Sequence, residues 1–391
     1  MKKEYLMIPG PTPVHPDISQ EMNTPVFNHR GPCFKELLEE VTEGLKRFFN
    51  TQNQVYILTA SGSGAMEAGI VNFLSPEDRV VSLVNGAFGE RLATIASSYG
   101  ASVEKIASAF GEPLPYSELE EMLAQDKDKQ IKAITVVHNE SSTGMMNDVA
   151  RISKIRQNHP ALIIVDAISS LGAVPLPVDD WEIDVCLTGS QKVLMMPPGL
   201  SFVSVSRKAW ECQKNAQMSH FYFSLKRAHD FYEAGQTPFT PAIPQMVALK
   251  KALEIYFSVG EKSMHEHHEL LTQSLRAGLE GLGLELLIKD YFYASRTVTA
   301  VKAPDDLDVA LLRNKLREDF GVEIAGGQGK LSQSSFRIGH LGSIGELDVV
   351  ITLAAMEMAM KQLGRDIVLG SGVSAAQQVI LEKGVRWNGS L

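Results

Sequence analysis

Two stretches of this 391-residue chain decide its fold: LIIVDAISSLG at residues 162–172 and DVCLTGSQK at residues 184–192. Each contains a short apolar, β-branched run that ends in small and polar residues, a pattern typical of a parallel strand buried on both faces. The functional groups at these ends are Asp166 and Lys192, which are 26 positions apart. One strand–helix–strand step of this length would bring both side chains to the same edge of a sheet, where α/β folds bind their ligands.

Runs of the same kind extend outward from these two stretches, from about residue 54 to residue 206. They predict strands at 54–59, 79–84, 133–138, 161–167, 184–188 and 201–206. Helical periodicity between them predicts helices at 64–73, 88–99, 115–125 and 148–158. This alternation predicts an α/β fold whose large domain is built on a mainly parallel, doubly wound sheet.

The pattern changes after Trp210, where residues 211–245 are aromatic and polar without a clear period. Helices are then expected at 245–257, 262–282, 308–320 and 346–363, with strands at 297–303 and 336–339. This order predicts a smaller α+β C-terminal domain. We expect an N-terminal segment at 1–20, the large domain at 21–259, the small domain at 260–365 and a C-terminal extension at 366–391.

Composition excludes several classes of protein. The net charge of −9 argues against a nucleic-acid partner, because phosphate contacts require a basic face. Three cysteines without a CxxC pair argue against a disulfide framework or a thiolate metal site, so no metal is expected. Prolines at positions 9, 11 and 13 interrupt any leader peptide, and no apolar run reaches 18 residues. We therefore expect a soluble, cytoplasmic protein without a membrane partner.

Three features point to chemistry, and each has an ordinary structural explanation as well. The small-residue loop at Ser61, Gly62 and Ser63 precedes a predicted helix, whose N-terminal N–H groups suit a phosphate, although a tight turn uses the same residues. Asp166 could face a ligand or cap the next helix. Lys192 is a potential Schiff-base lysine if burial lowers its pKa, although a single lysine is more often a surface charge. Together, a phosphate cradle, an acid for a pyridinium nitrogen and a lysine for an aldehyde predict a pyridoxal 5'-phosphate site.

Five motifs carry a resemblance to a known family: SGSGAMEA, HNESSTG, LIIVDAISSLG, TGSQKVLMMPPGL and FRIGHLG. The chain resembles the class V aminotransferases, which are pyridoxal-phosphate enzymes of fold type I. Within that family it is similar to the alanine–glyoxylate and serine–pyruvate (serine–glyoxylate) aminotransferases. The resemblance extends from PGPTPV near the N-terminus to about residue 363. It implies an enzyme that moves the amino group of alanine or serine to glyoxylate or pyruvate by a ping-pong mechanism.

The resemblance also implies roles for the residues around the cofactor. Lys192 would hold pyridoxal phosphate as a Schiff base and transfer the substrate proton, and Asp166 would pair with the pyridinium nitrogen. The phosphate would be bound by the loop residues, which are Ser61, Gly62 and Ser63, with Gln191 beside them.

The remaining roles concern the ring, the substrate and the second subunit. Ser141 would approach the ring hydroxyl, and Phe88 occupies the position of an aromatic residue that stacks on the ring. Arg337 would bind the substrate carboxylate through two parallel hydrogen bonds. Thr240 matches a residue that reaches the phosphate of the other subunit, which implies a homodimer with a shared active site.

Two other interpretations stay open. A pyridoxal-phosphate lyase or a cysteine desulfurase would use the same fold and cofactor, but a desulfurase needs a reactive cysteine late in the chain, and the last cysteine is Cys212. A non-catalytic subunit that retains the fold for assembly is the second alternative. The presence of Lys192, Asp166 and Arg337 together disfavours it, because a scaffold does not need all three.

Overall fold

The computed structural model describes residues 4–384. The strands are β1 (Tyr5–Met7), β2 (Gln54–Leu58), β3 (Arg79–Val84), β4 (Ser102–Ala107), β5 (Ile131–Val137), β6 (Asn139–Glu140), β7 (Met145–Met146), β8 (Leu162–Asp166), β9 (Val185–Gly189), β10 (Ser201–Val205), β11 (Glu285–Leu286), β12 (Val298–Lys302), β13 (Val322–Gly326) and β14 (Ser335–Gly339). The helices are α1 (Pro16–Glu21), α2 (Pro32–Phe48), α3 (Gly62–Val71), α4 (Ala87–Ser98), α5 (Tyr116–Gln125), α6 (Val149–Arg156), α7 (Arg207–Gln213), α8 (Leu225–Glu233), α9 (Ile243–Val259), α10 (Glu261–Gly281), α11 (Val309–Lys315), α12 (Glu346–Gln362) and α13 (Ser371–Lys383).

A seven-stranded sheet forms the centre of the larger part, in the order β2–β10–β9–β8–β5–β3–β4. Only β10 runs against its neighbours β9 and β2, so the expected mainly parallel sheet is confirmed. The edge strand β4 was not predicted, because its sequence SVEKIA is mostly exposed and does not form a continuous apolar run. β8 and β9 are adjacent and parallel, and Asp166 pairs with Leu187.

The connection between β8 and β9 differs from the expected strand–helix–strand step. Residues 167–184 form turns and contain no α-helix. The prediction that both strand ends share one edge nevertheless holds, because two parallel neighbours end on the same side whatever structure links them.

Both faces of this sheet are covered, as a doubly wound fold requires. Successive residues of β8 point to opposite sides: Ile163 and Val165 join the core beneath α2, α5, α6 and α9, whereas Leu162 and Ile164 join the core beneath α3, α4, α7 and α8. This two-sided burial explains why β8 is continuously apolar rather than alternating.

A second sheet, in the order β1–β13–β14–β12–β11, packs against α10, α11, α12 and α13. Both ends of the described chain belong to this layer, whereas the sequence predicts separate terminal segments at 1–20 and 366–391. Tyr5 in β1 pairs in parallel with Val322 in β13. Gly372 in α13 lies so close to α10 that a Cβ atom there would be 2.7 Å from the carbonyl oxygen of Gly278. The expected extension thus begins as a packed helix, and its residues 385–391 lie outside the described part.

Among residues 4–384, no helix is both long enough and apolar enough to cross a lipid bilayer.

Candidate active site

A cavity of about 260 Å³ lies at the carboxyl ends of the central strands and contains most of the predicted site residues. The predicted residues that line it are Ser61, Gly62, Ser63, Phe88, Ser141, Asp166, Gln191 and Lys192. Sequence reasoning missed nine others: Gly10, Pro11, Met66, Arg91, Val137, Asn139, Ile168, Ser169 and Pro198. Arg337 and Thr240 are not among the lining residues.

Asp166 lies at the end of β8, with its side chain buried in the cavity wall. One carboxylate oxygen, Oδ1, accepts a hydrogen bond of 2.8 Å from the backbone N–H of Ile168. The pKa of Asp166 is raised to about 7: burial and the negative charge of Glu140 raise it, while the Ile168 N–H and the cation of Lys192 lower it. A positively charged ring nitrogen beside this carboxyl would favour its ionised form.

Lys192 follows β9 and extends into the same cavity from the next strand. Its Nζ atom donates a hydrogen bond of 2.5 Å to the backbone carbonyl of Pro9. Burial lowers the pKa of Lys192 to about 8, and the nearby Arg337 contributes in the same direction, whereas the carboxylate of Asp166 raises it. A lysine with such a pKa has a substantial neutral fraction near pH 7–8, which is the form that attacks a carbonyl.

Gly10 makes the close approach of the N-terminal segment to this lysine possible. Its φ angle is +147°, in the region that favours glycine, and a Cβ atom there would lie 2.5 Å from Lys192 Nζ.

The small-residue loop at Ser61–Ser63 lies at the N-terminus of a helix, as the sequence predicts. α3 begins at Gly62, and the side chain of its N-cap residue Ser61 accepts no hydrogen bond from the helix. The N–H groups of the first turn therefore donate to no capping side chain. A Cβ atom at Gly62 would lie 2.7 Å from Ile168 Cδ1, which explains the glycine. Ser63 Oγ lies 3.4 Å from Arg91 Nη1, so a cation stands beside the loop. Such a helix N-terminus is suited to an anion.

A network of buried polar groups covers another wall of the cavity. Ser141 Oγ and Ser169 Oγ are 2.6 Å apart, and Asn139 Nδ2 donates to Ser169 Oγ at 2.8 Å and to Thr297 Oγ1 at 3.0 Å. Thr297 immediately precedes β12, so this network also connects the two sheets.

Two buried amide oxygens around the cavity, Asn139 Oδ1 and Gln191 Oε1, have no hydrogen-bond partner among the described residues. Buried polar atoms are normally paired, so these two indicate a missing polar ligand.

Arg337 lies in β14 of the second sheet and points toward this wall. Nε donates to the carbonyl of Gly326 at 2.9 Å, and Nη1 donates to the carbonyl of Ser141 at 3.0 Å. The residue is 8% exposed. Burial lowers the pKa of Arg337 to about 10, the carboxylate of Glu140 raises it, and Arg313 lowers it. The structure thus places Arg337 behind Ser141, at the wall rather than in the lining of the cavity.

Phe88 and Arg91 are neighbours on the first turns of α4. The guanidinium carbon of Arg91 lies 4.8 Å from the centre of the Phe88 ring. Residues three apart share a helix face, so the spacing within NGAFGER could have drawn attention to Arg91 once Phe88 was chosen.

Thr240 lies apart from the cavity, on an exposed aromatic surface. It lines a separate groove with Tyr222 and Phe239, whose rings stack with centres 4.9 Å apart. Phe221 is 66% exposed and Tyr222 is 45% exposed in this single chain. The described chain therefore does not bring Thr240 to the cavity that contains Lys192.

The donor set fits pyridoxal phosphate. One cavity is lined by the four kinds of group that this cofactor needs. They are a buried carboxyl, a lysine of lowered pKa, an aromatic ring and a helix N-terminus that has no side-chain cap and begins with a glycine. The unpartnered amide oxygens of Asn139 and Gln191 agree with a polar group bound at this wall. In contrast, none of the three cysteines lines the cavity, and Cys186 is buried in the sheet, where burial raises its pKa.

Comparison with known proteins identifies the family. Residues 18–339 match the aminotransferase class V family. A Synechococcus protein named soluble hydrogenase, small subunit, is 42% identical over 97% of this chain and 98% of its own. The serine–glyoxylate aminotransferase of Arabidopsis thaliana is 33% identical over 96% of this chain and 94% of its own. The crystal structure of pyridoxamine–pyruvate aminotransferase from Mesorhizobium loti is 27% identical, covers 98% of each chain and has a TM-score of 0.93. The chain therefore belongs to the class V aminotransferase family and has the fold type I architecture of its pyridoxal-phosphate enzymes.

Proposed function

We propose that this protein is a pyridoxal-phosphate-dependent aminotransferase that moves the amino group of alanine or serine to glyoxylate or pyruvate by a ping-pong mechanism. The observation that carries the proposal is the placement of Lys192 and Asp166 in one cavity, beside the open N-terminus of α3. The similarity to a serine–glyoxylate aminotransferase supports the substrate class.

Different residues of the cavity would bind the ring nitrogen, the phosphate and the ring face of the cofactor. Bound pyridoxal phosphate supplies an aldehyde that reacts with amines and a ring that accepts the charge left when a substrate proton departs. Asp166 would hold the ring nitrogen protonated. The N–H groups at Gly62 and Ser63 would bind the phosphate, and Phe88 would contact one face of the ring.

Lys192 would also move the proton at the substrate Cα. Its pKa of about 8 lies close to neutral pH, so it can release a proton and accept one without a large free-energy cost in either direction. The carbonyl of Pro9, which accepts from Nζ, orients the amine toward the cavity.

Arg337 would bind the carboxylate that amino acids and 2-oxo acids share. Of the five N–H donors of a guanidinium, the two contacts with Gly326 and Ser141 use two. The remaining N–H groups are available for a carboxylate.

The direct test is a panel of amino donors against glyoxylate and pyruvate, with the amino-acid products quantified. We expect transfer from alanine or serine in the wild type and none in Lys192→Ala. Release of sulfide from cysteine, or of ammonia or carbon dioxide without transfer, would instead identify a desulfurase or a lyase.

A non-catalytic subunit remains the second candidate, because a relative with 42% identity is named as a hydrogenase subunit. The retained Lys192, Asp166 and Arg337 support catalysis. A purified wild type that binds no pyridoxal phosphate, as measured by absorption after dialysis against the cofactor, would favour the subunit role.

We further propose a cytoplasmic homodimer with shared active sites. All three cysteines are free, which agrees with a reducing compartment. The exposed aromatic rings beside Thr240 are suited to contact with a second copy of the chain.

The mass of the particle in solution, measured by sedimentation, tests the dimer. Mixing Lys192→Ala with Thr240→Ala subunits tests the sharing, because only a shared site would give hybrids whose activity differs from the average of the parents.

A further inference from the structure

Glu140 is a buried carboxylate that the proposed reaction does not use. It belongs to the HNESSTG motif at residues 138–144, and it is 0% exposed. A glutamate is almost never fully buried without partners. The partners of its two oxygens therefore indicate its task.

Those partners lie at the start of α4. Glu140 Oε2 accepts from the backbone N–H groups of Phe88 at 3.0 Å and Gly89 at 2.9 Å. Oε1 accepts from the hydroxyl of Ser142 at 2.5 Å and from its N–H at 3.1 Å. The same hydroxyl accepts from the N–H of Ala87 at 2.8 Å. The first three N–H groups of α4 are thus satisfied by a loop that lies 51 to 55 residues away.

The glycine before the helix is explained by this arrangement. Gly86 is the N-cap of α4 and has no side chain that could cap it. A Cβ atom at Gly86 would lie 2.2 Å from Glu140 Cγ and 2.6 Å from Ser142 Oγ. The carboxylate therefore takes the place that an Asp or Ser N-cap side chain would occupy, and it also places a negative charge at the positive end of the helix.

The same loop holds the substrate side of the site. Arg337 Nη1 donates to the carbonyl of Ser141, the residue that follows Glu140. Ser141 itself lines the cavity, and so does Phe88. Burial raises the pKa of Glu140, whereas the hydrogen bonds that it accepts from Ser142, Gly89 and Phe88 favour its charged form. In that form Glu140 also acts on Arg337, whose pKa it raises.

We propose that Glu140 is a positioning residue for Phe88 and Arg337. Its side chain caps the N-terminus of α4, which fixes the position of Phe88. Its charge, together with the carbonyl of the neighbouring Ser141, holds the guanidinium of Arg337 in place. This inference rests on the proposed function for its catalytic consequence, but its structural part does not. Glu140 itself does not line the cavity.

Three variants separate the parts of this role. Glu140→Gln keeps the size of the side chain but removes the charge and one acceptor oxygen. Ser142→Ala removes the hydroxyl and leaves the carboxylate. Glu90→Gln is the matched control, because Glu90 lies in the first turn of the same helix, and its carboxylate pairs with Lys105 at the surface.

The first measurement is amide hydrogen exchange in the cofactor-free protein, over the peptide that contains residues 86–90. Glu140→Gln should speed exchange there by about tenfold or more, since it weakens charge-assisted hydrogen bonds. Ser142→Ala should affect mainly the amide of Ala87. Glu90→Gln changes this peptide only at position 90 and should leave exchange of the amides of residues 87–89 at the wild-type rate. Unchanged exchange in Glu140→Gln would overturn the capping role, whether or not the protein is an aminotransferase.

The second measurement is the pH dependence of pyridoxal phosphate binding. Glu140 raises the pKa of Asp166, together with burial and against the effects of the Ile168 N–H, Lys192 and Arg91. Removing this charge should move the acidic limb of the pH dependence of cofactor affinity to lower pH in Glu140→Gln. The shift should be smaller in Ser142→Ala, which keeps the carboxylate but loses the hydroxyl that favours its charged form. With active enzyme, the KM for the amino acid should rise about tenfold in Glu140→Gln, with a smaller change in kcat. If Glu140→Gln changes neither the pH dependence of cofactor affinity nor the KM, the charge of Glu140 has no role in the site. A wild type that binds no cofactor would refute the proposed function instead.

Discussion

Lys192 Nζ donates its 2.5 Å hydrogen bond to the carbonyl of Pro9, a residue that lies 183 positions earlier in the chain. The next residue, Gly10, lines the same cavity and has a φ angle of +147°. The start of the chain is therefore part of the site, and its backbone passes within contact of the amine on which the proposed chemistry depends.

Gly10→Ala should displace Lys192, because the new Cβ atom would lie 2.5 Å from Nζ. We expect transamination to fall about tenfold or more, in addition to the backbone strain of a positive φ angle. Gly364→Ala is the matched control, since Gly364 also has a positive φ of +86° but has no atom within 4 Å of the added Cβ. Steady-state kinetics and thermal unfolding of both variants separate contact from strain. Equal losses of activity in the two variants would contradict the contact.

Asp166→Asn should lower the pKa of Lys192 below its value of about 8. The carboxylate favours the charged amine, so its removal lets the proton leave at lower pH. In the cofactor-free protein, the rate at which an amine-acylating reagent modifies Lys192 should then reach its midpoint at lower pH, as followed by peptide mass spectrometry. Asp230→Asn, at an exposed ion pair on α8, should leave the midpoint in place. A midpoint that rises or stays constant in Asp166→Asn would show that the two groups do not interact as described.

Arg337→Ala should raise the KM for amino acids on the order of 100-fold, because a buried charge pair with two hydrogen bonds is lost. Bound pyridoxal phosphate should persist, since Arg337 does not line the cavity that holds the predicted cofactor residues. Arg337→Lys should recover only part of the affinity, as an ammonium cannot form the two parallel bonds. Arg317→Ala changes an exposed arginine and serves as the control. If KM is unchanged in Arg337→Ala, the carboxylate binds elsewhere.

Gly372→Val should destabilise the second layer by about 2–3 kcal/mol, because the contact with α10 leaves no room for a side chain. A Cβ atom there would already lie 2.7 Å from the carbonyl of Gly278 and from Leu282 Cγ. Ser374→Val, at an exposed position on the same helix, is the control for helix propensity. Thermal and urea unfolding measure the difference. Equal stability of the two variants would mean that α13 does not dock tightly.

The sequence was informative where a local pattern determines position. The apolar runs that end at Asp166 and near Lys192 predicted neighbouring buried strands, and parallel pairing brings their ends together without further information. The small residues at Ser61–Ser63 likewise predicted a helix N-terminus. These positions depend only on hydrophobic periodicity and on the rules of α/β sheets, so they could be found from one chain.

Other parts depend on contacts between distant segments and left no local signal. The reversed direction of β10 is invisible in its run SFVSV, because a buried strand looks the same in either direction. Pairing of Tyr5 with Val322 joins residues at opposite ends of the chain. Glu140 lies in a short polar motif that resembles a surface loop, and only the neighbouring start of α4 explains its burial.

The parallel pairing of β1 with β13 has a mechanical consequence. β1 leads directly to Pro9, whose nitrogen would lie 2.7 Å from a Cβ atom at Gly339, at the end of the strand that carries Arg337. The Pro9 carbonyl, which accepts from Lys192, and the Arg337 guanidinium, which is proposed to bind the substrate carboxylate, are therefore both attached to this one sheet. We expect any displacement of this sheet to move Arg337 and the Pro9 carbonyl together, which would couple carboxylate binding to the hydrogen bond on Lys192 Nζ.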